Sequence, residues 1–185
     1  MSRNDVDRLI NTYLSAIMSR DKNHTDALAE KLYDTFLKPV IPFVYGDRVG
    51  FVPHRTLYNL PFAAMRYMQS YLVDGFTIFH LSHSGLLKQL LPKKSMPGVA
   101  KVIILADSPC VEKQQLVAYA GEEMSVITQL WDVEDKPKAA LMEMIYKNLE
   151  KSSSTADALR AAQNGMIQMG YGPSDWAAFI MTGQY

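Results

Sequence analysis

The chain has 185 residues, of which 48% are hydrophobic, and its 19 basic and 19 acidic residues balance. This length and composition fit one compact domain, residues 1–185, that needs no disulfide or metal to fold. The balanced charge, with no long run of like charges, gives no reason to expect nucleic acid as a partner.

The single cysteine, Cys110, excludes an internal disulfide and fits a reducing compartment. The first residues are polar and charged, unlike a secretory signal peptide. No apolar run reaches the ~20 residues that a membrane-spanning helix needs. We therefore expect a cytoplasmic protein without a membrane partner.

Residues 1–42 predict a helical hairpin that leads into an α/β core at residues 43–185. Apolar residues recur at three-and-four spacing on both sides of a polar break at residues 20–24. Pro39 and Pro42 end the second helix, because proline lacks the backbone donor that an inner helical turn requires.

The rest of the chain alternates between short apolar runs and helical patterns. The continuous run Lys101–Ala106 is typical of a strand buried on both faces, as in a parallel sheet. The sequence therefore predicts an α/β fold with a small, mostly parallel sheet flanked by helices. The predicted strands are residues 48–52, 76–81, 101–106 and 125–131, with 176–181 as an edge strand; the predicted C-terminal helices are residues 137–149 and one that begins near 155.

Several motifs follow one another in a fixed order. The first part contains Val52-Pro-His54, Leu57-Tyr-Asn-Leu-Pro-Phe-Ala-Ala-Met65 and a serine-bearing turn after Phe79-His-Leu. The second part contains Leu130-Trp-Asp-Val-Glu-Asp135, Ala158-Leu-Arg-Ala-Ala-Gln163 and Trp176-Ala-Ala-Phe179. In this order the motifs resemble those of CHAT domains, which belong with caspase-like and separase-like cysteine peptidases. The resemblance implies a caspase-like fold, here truncated, and a single CHAT-like domain.

Catalysis in such domains requires a histidine and a cysteine at the ends of two strands. The imidazole takes or holds the thiol proton, and the thiolate attacks a peptide carbonyl. In the family both strands lie in an interval that here runs only from about Leu91 to Ala120, roughly thirty residues, enough for one strand and one helix. The shortness of this interval predicts a degenerate domain that no longer cleaves peptides.

A second register keeps an enzyme possible. The segment Phe79-His-Leu-Ser-His83 is similar to the histidine motif, and Lys101–Cys110 is similar to the strand that carries the cysteine. In this register His83 is the base and Cys110 the nucleophile of a minimal cysteine peptidase. Cys110 follows Pro109 and arrives later than the family pattern requires, so a packing role remains open.

The resemblance also suggests binding residues. In active relatives the end of the strand before Trp131 borders the pocket for the residue preceding the cut bond, so Trp131 and Asp132 are candidate binding residues, with His54 as a third. Family members usually accompany repeat or effector modules in signalling or defence systems, which implies a protein partner or self-association. The chain has no Cys-x-x-Cys, His-Glu-x-x-His or glycine-rich phosphate loop, so we expect no metal and no cofactor.

Overall fold

The computed structural model describes residues 2–81, 103–106, 125–151 and 154–183, with backbone alone for 103–106 and 125. Two antiparallel helices begin the chain, α1 (Arg3–Met18) and α2 (Lys22–Phe36), as the apolar spacing predicts. Ser2 and Asp5 cap α1 reciprocally, and the Asp21 side chain accepts from the His24 backbone N–H at the start of α2.

The described residues include seven strands: β1 (Arg48–Phe51), β2 (Arg66–Tyr67), β3 (Ser70–Tyr71), β4 (Thr77–His80), β5 (Ile103–Ala106), β6 (Ser125–Gln129) and β7 (Phe179–Gly183). The other helices within the described ranges are α3 (Leu72–Gly75), α4 (Asp135–Leu149), α5 (Thr155–Gln168) and α6 (Pro173–Trp176). Short 3-10 turns cover residues 41–43, 55–59 and 62–64.

The main sheet has the strand order β1-β4-β7-β6-β5. Three of its neighbouring pairs are parallel, β1 with β4, β4 with β7 and β5 with β6, while β6 and β7 are antiparallel. The two remaining strands, β2 and β3, form a small hairpin. The predicted α/β class, the mostly parallel sheet and the N-terminal helical pair are confirmed.

One expectation about the sheet is wrong. The segment predicted as an edge strand forms β7, which lies in the centre of the sheet between β4 and β6. Its residues Phe179 and Met181 are buried. The apolar character of this segment fits the central position, because a strand with neighbours on both sides is buried, whereas an edge strand can remain partly solvated.

Helices cover both faces of the sheet. On one face α4 and α5 pack against Phe79, Ile127 and Met181. On the other face α1 and α2 pack against a segment that includes Leu60 and Met65, with Phe51 and Ile78 at the boundary. A buried hydrogen bond from the Tyr13 hydroxyl to the Ala64 carbonyl, 2.9 Å long, joins α1 to this segment.

Candidate functional site

The direction of the strands gives the sheet two distinct ends. At the first, called end A, the strands β1, β4 and β7 have their carboxyl ends. At the opposite one, called end B, β5 and β6 have theirs, because β6 runs antiparallel to β7 and β5 runs parallel to β6. In sheets of this kind, side chains that act together gather where strands end at the same side.

The two candidate catalytic residues, His83 and Cys110, lie outside the described residues. The strands that precede them are described: β4 ends with His80 at end A, and β5 ends with Ala106 at end B. Two strands, β7 and β6, separate β4 from β5 in the sheet. At the usual spacing between strands, β4 and β5 lie about 14 Å apart.

Trp131 follows β6 at end B and is half-buried. Its indole Nε1 donates to the Ser174 carbonyl at 3.1 Å, and its own carbonyl accepts from the Gln129 side-chain amide at 2.6 Å. The ring packs against residues of both hydrophobic clusters, so it fills the junction between the layers of the fold. These contacts show how Trp131 packs at the end of its strand.

Asp132 differs from its neighbour because its side chain is exposed. No hydrogen bond or ion pair joins it to the described residues. Beside it, the Arg20 guanidinium bridges Glu134 at 2.8 Å and the buried Asp175 at 3.1 Å, which ties the end of α1 to end B. Among the described residues Asp132 is thus exposed and unpaired, whereas Glu134 and Asp175 both pair with Arg20.

His54 lies after β1, on the side of end A, and is exposed. Its Nε2 accepts a 3.3 Å hydrogen bond from Arg55 Nε. The three predicted binding residues therefore do not converge, because Trp131 and Asp132 lie at end B.

His80, the last residue of β4, is 3% exposed. The rings of Phe51 and Phe62 meet it edge-on at 6.4 and 5.5 Å, and its Nε2 has no hydrogen-bond partner among the described residues. Burial lowers the pKa of His80 to about 4, because an imidazolium there would lose its hydration. A core histidine was foreseeable from its place on an apolar strand, but its lack of a partner was not.

This burial predicts a pH-dependent stability. The unfolded chain binds a proton at His80 near the ordinary pKa of about 6.5, while the folded chain resists it down to about 4. The free energy of unfolding is therefore highest above pH 6.5 and falls by about 3 kcal/mol as the pH drops to 4. Urea titrations of the wild type and His80→Leu across this range test it.

The His80→Leu variant should lose this part of the pH dependence, and the exposed-histidine control His54→Gln should retain it. An identical pH slope in the wild type and His80→Leu would contradict the account.

The motif Ala158–Gln163 holds α5 against the sheet. Arg160 donates to the carbonyls of Val73 and Asp74 at 3.0 and 2.7 Å. The Gln163 amide donates to the Phe179 carbonyl at 3.0 Å, where β7 begins. Both side chains therefore stabilise the fold, because they join α5 to the backbone of neighbouring elements.

Beside β1 lies an apolar groove that the sequence analysis did not predict. Its volume is about 390 Å³, and residues from the end of α2, from β1 and from the turns at 41–43 and 55–59 line it. The groove forms only when segments distant in sequence meet. The one signal for it in the sequence was the group of apolar residues around Pro39 and Pro42.

The described part of the chain contains neither a candidate metal site nor a candidate membrane-spanning helix. No group of three or more histidine, cysteine, aspartate or glutamate side chains comes together there in a way that could bind a metal. None of the helices in those ranges combines the length and the apolar character needed to cross a bilayer.

The architecture defines an α/β protein with a mostly parallel sheet and an N-terminal helical pair, consistent with a truncated caspase-like fold. Comparison with known families adds that the CHAT domain model matches residues 114–184. This confirms the resemblance to CHAT domains, a caspase-like family. The match spans less than half of the chain, as a shortened CHAT domain would. No curated protein matches the chain.

Proposed function

We propose that this chain is a CHAT-like domain that has lost peptide cleavage and acts through contacts with other proteins in a signalling or defence system. In this proposal residues 1–185 work as one domain in the cytoplasm. The match to the CHAT family supports the ancestry. The loss of catalysis is supported by the geometry of the sheet.

The observation that carries the proposal is the direction of β4 and β5. A histidine and a cysteine that act together are expected to follow strands whose carboxyl ends lie at the same side of a sheet. Here the strand leading to His83 ends at end A, and the strand leading to Cys110 ends at end B. A thiol and an imidazole must come within about 3–4 Å to transfer a proton. The short interval between Leu91 and Ala120 agrees, since it leaves room for one strand.

The alternative is a minimal cysteine peptidase with His83 as base and Cys110 as nucleophile. A library of peptides from a proteolysed proteome, incubated with the wild type and with Cys110→Ala, separates the two. We expect the same peptide ends with both proteins, and the same partners after affinity capture from cell extract. Cleavage by the wild type that disappears in Cys110→Ala would establish the peptidase instead.

A further inference from the structure

The groove beside β1 is lined entirely by apolar side chains and one glycine. Leu37 and Ile41 form one wall, and Val49, Phe51, Leu57 and Phe62 contribute to the others. The two residues that flank the lining residue Val44 in sequence are large, apolar and highly exposed: Phe43 is 74% exposed and Tyr45 91%. Contiguous apolar surface of this kind on a soluble domain marks a contact site more often than a chance feature.

Backbone hydrogen-bonding groups lie next to this groove. The Asp47 and Phe51 carbonyls accept from the Thr77 and Leu81 N–H groups, so the odd-numbered residues of this stretch face β4. Because strand residues alternate, the N–H and C=O groups of Gly50 and of the following Val52 face away from the sheet. Among the described residues, no hydrogen bond satisfies these groups. They form an open strand edge, which can accept a further strand.

At Gly50 the structure leaves no room for a side chain. A Cβ atom at this position would come within 2.7 Å of the Phe79 ring, which lies over the glycine. The aromatic ring therefore fills the place of a side chain on the face that carries α4 and α5, and the opposite face is left to the groove.

A positive charge stands at the carboxyl end of the same edge. Arg55 lies between two groove residues, Pro53 and Leu57, and its backbone φ is 57°, a left-handed value that favours glycine. Its side chain is exposed and contacts His54, and no carboxylate in the part of the chain that the structure describes pairs with it. The exposed guanidinium therefore places a positive charge beside the groove.

We infer that this edge binds an extended, acidic and apolar peptide segment of a partner protein. The segment adds as a strand to β1, hydrogen-bonds to Gly50 and Val52, inserts apolar side chains into the groove and places a carboxylate beside Arg55. Strand addition of this kind takes affinity from the backbone and specificity from alternate side chains. The inference rests on the proposed protein-interaction function and names the partner's chemistry.

Charge decides between this occupant and a second copy of the chain. Two β1 strands paired antiparallel about Gly50 would place Arg55 opposite Tyr45, and the exposed Asp47 of the copy would reach it only from the diagonal position opposite Pro53. A partner segment can place an aspartate or glutamate directly opposite Arg55, and it leaves the apolar groove for its neighbouring side chains.

The test uses random dodecapeptides displayed on phage and selected on the whole chain. We expect the selected peptides to share alternating apolar residues and a nearby aspartate or glutamate. A synthetic copy of a selected peptide should bind at least about tenfold more weakly to Val52→Pro, which removes one outward N–H group, and to Arg55→Glu. Arg55→Gly should retain its fold, because glycine suits the backbone, and should also bind weakly.

Arg55→Lys, which keeps the charge, should bind better than Arg55→Gly, and Arg3→Glu, an exposed reversal on α1, should bind as the wild type does. Circular dichroism melts confirm that each variant is folded. Failure to select any peptide, selected peptides without the pattern, or equal binding to the edge variants would overturn the inference. So would a dimer of the free chain that Val52→Pro dissociates, since self-pairing would then occupy the edge.

The same peptide distinguishes the two proposals. Cleavage of the bound peptide by the wild type but not by Cys110→Ala would contradict the loss of catalysis and leave the edge site intact. Equal binding to all edge variants, without cleavage, would contradict the edge site and leave the non-catalytic function intact.

Discussion

Replacing Trp131 with alanine lowers the free energy of unfolding by about 3 kcal/mol, near the low end of the range for aromatic truncation because the ring is half-buried. The ring contacts both hydrophobic clusters, so its loss opens a cavity between the layers. The Ser174 carbonyl also loses the indole donor at 3.1 Å. Urea denaturation followed by far-ultraviolet circular dichroism measures the change.

Two matched variants separate the parts of this effect. Trp131→Phe keeps most of the packing and loses the donor, so it should cost about 1 kcal/mol. Asp132→Ala, next to it and exposed, should leave stability unchanged. Similar stabilities for the wild type and Trp131→Ala would show that the side chain does not join the layers.

Asp157→Ala destabilises the fold by about 2 kcal/mol, because one carboxylate joins three elements. Asp157 lies in the first turn of α5, where its backbone N–H donates to the Ser154 hydroxyl at 3.1 Å. Its carboxylate accepts from Arg48 of β1 at 2.6 Å and from the Thr77 hydroxyl of β4 at 2.9 Å. Removal leaves a half-buried guanidinium and a buried hydroxyl without this acceptor.

The control for Asp157 is Glu143→Ala, which removes an exposed carboxylate that pairs with Lys147 one turn away on α4. Exposed pairs of this kind contribute little to stability. Equal stability changes for the two variants in urea denaturation would contradict the role given to Asp157.

The sequence predicted the elements better than their arrangement. The strands β4 and β5 were recognisable because buried parallel strands consist of short apolar runs. The helix from Thr155 was recognisable from Ser154 and Asp157, whose capping contact is present. The central place of β7 was not predictable, since an apolar run does not record how many neighbours its strand has.

The candidate site shows the same difference. The predicted strand at residues 125–131 placed Trp131 at a strand end, and the structure has it two residues after β6, which ends at Gln129. The separation of His54 from Trp131 could not be predicted, because it depends on β6 running antiparallel to β7. The groove beside β1 was equally hidden, since its walls come from segments between Phe36 and Leu72 that meet only after folding.

The pH dependence of alkylation at Cys110 tests the central claim most directly, because the chain has one cysteine and the signal has one source. An unassisted thiol reacts with iodoacetamide as its thiolate forms, with an ordinary pKa of about 8.5. We predict that ordinary profile, unchanged in His83→Ala and in the control His54→Ala. Fast alkylation that persists at pH 6 and is lost in His83→Ala alone would establish an activated pair and contradict the non-catalytic account.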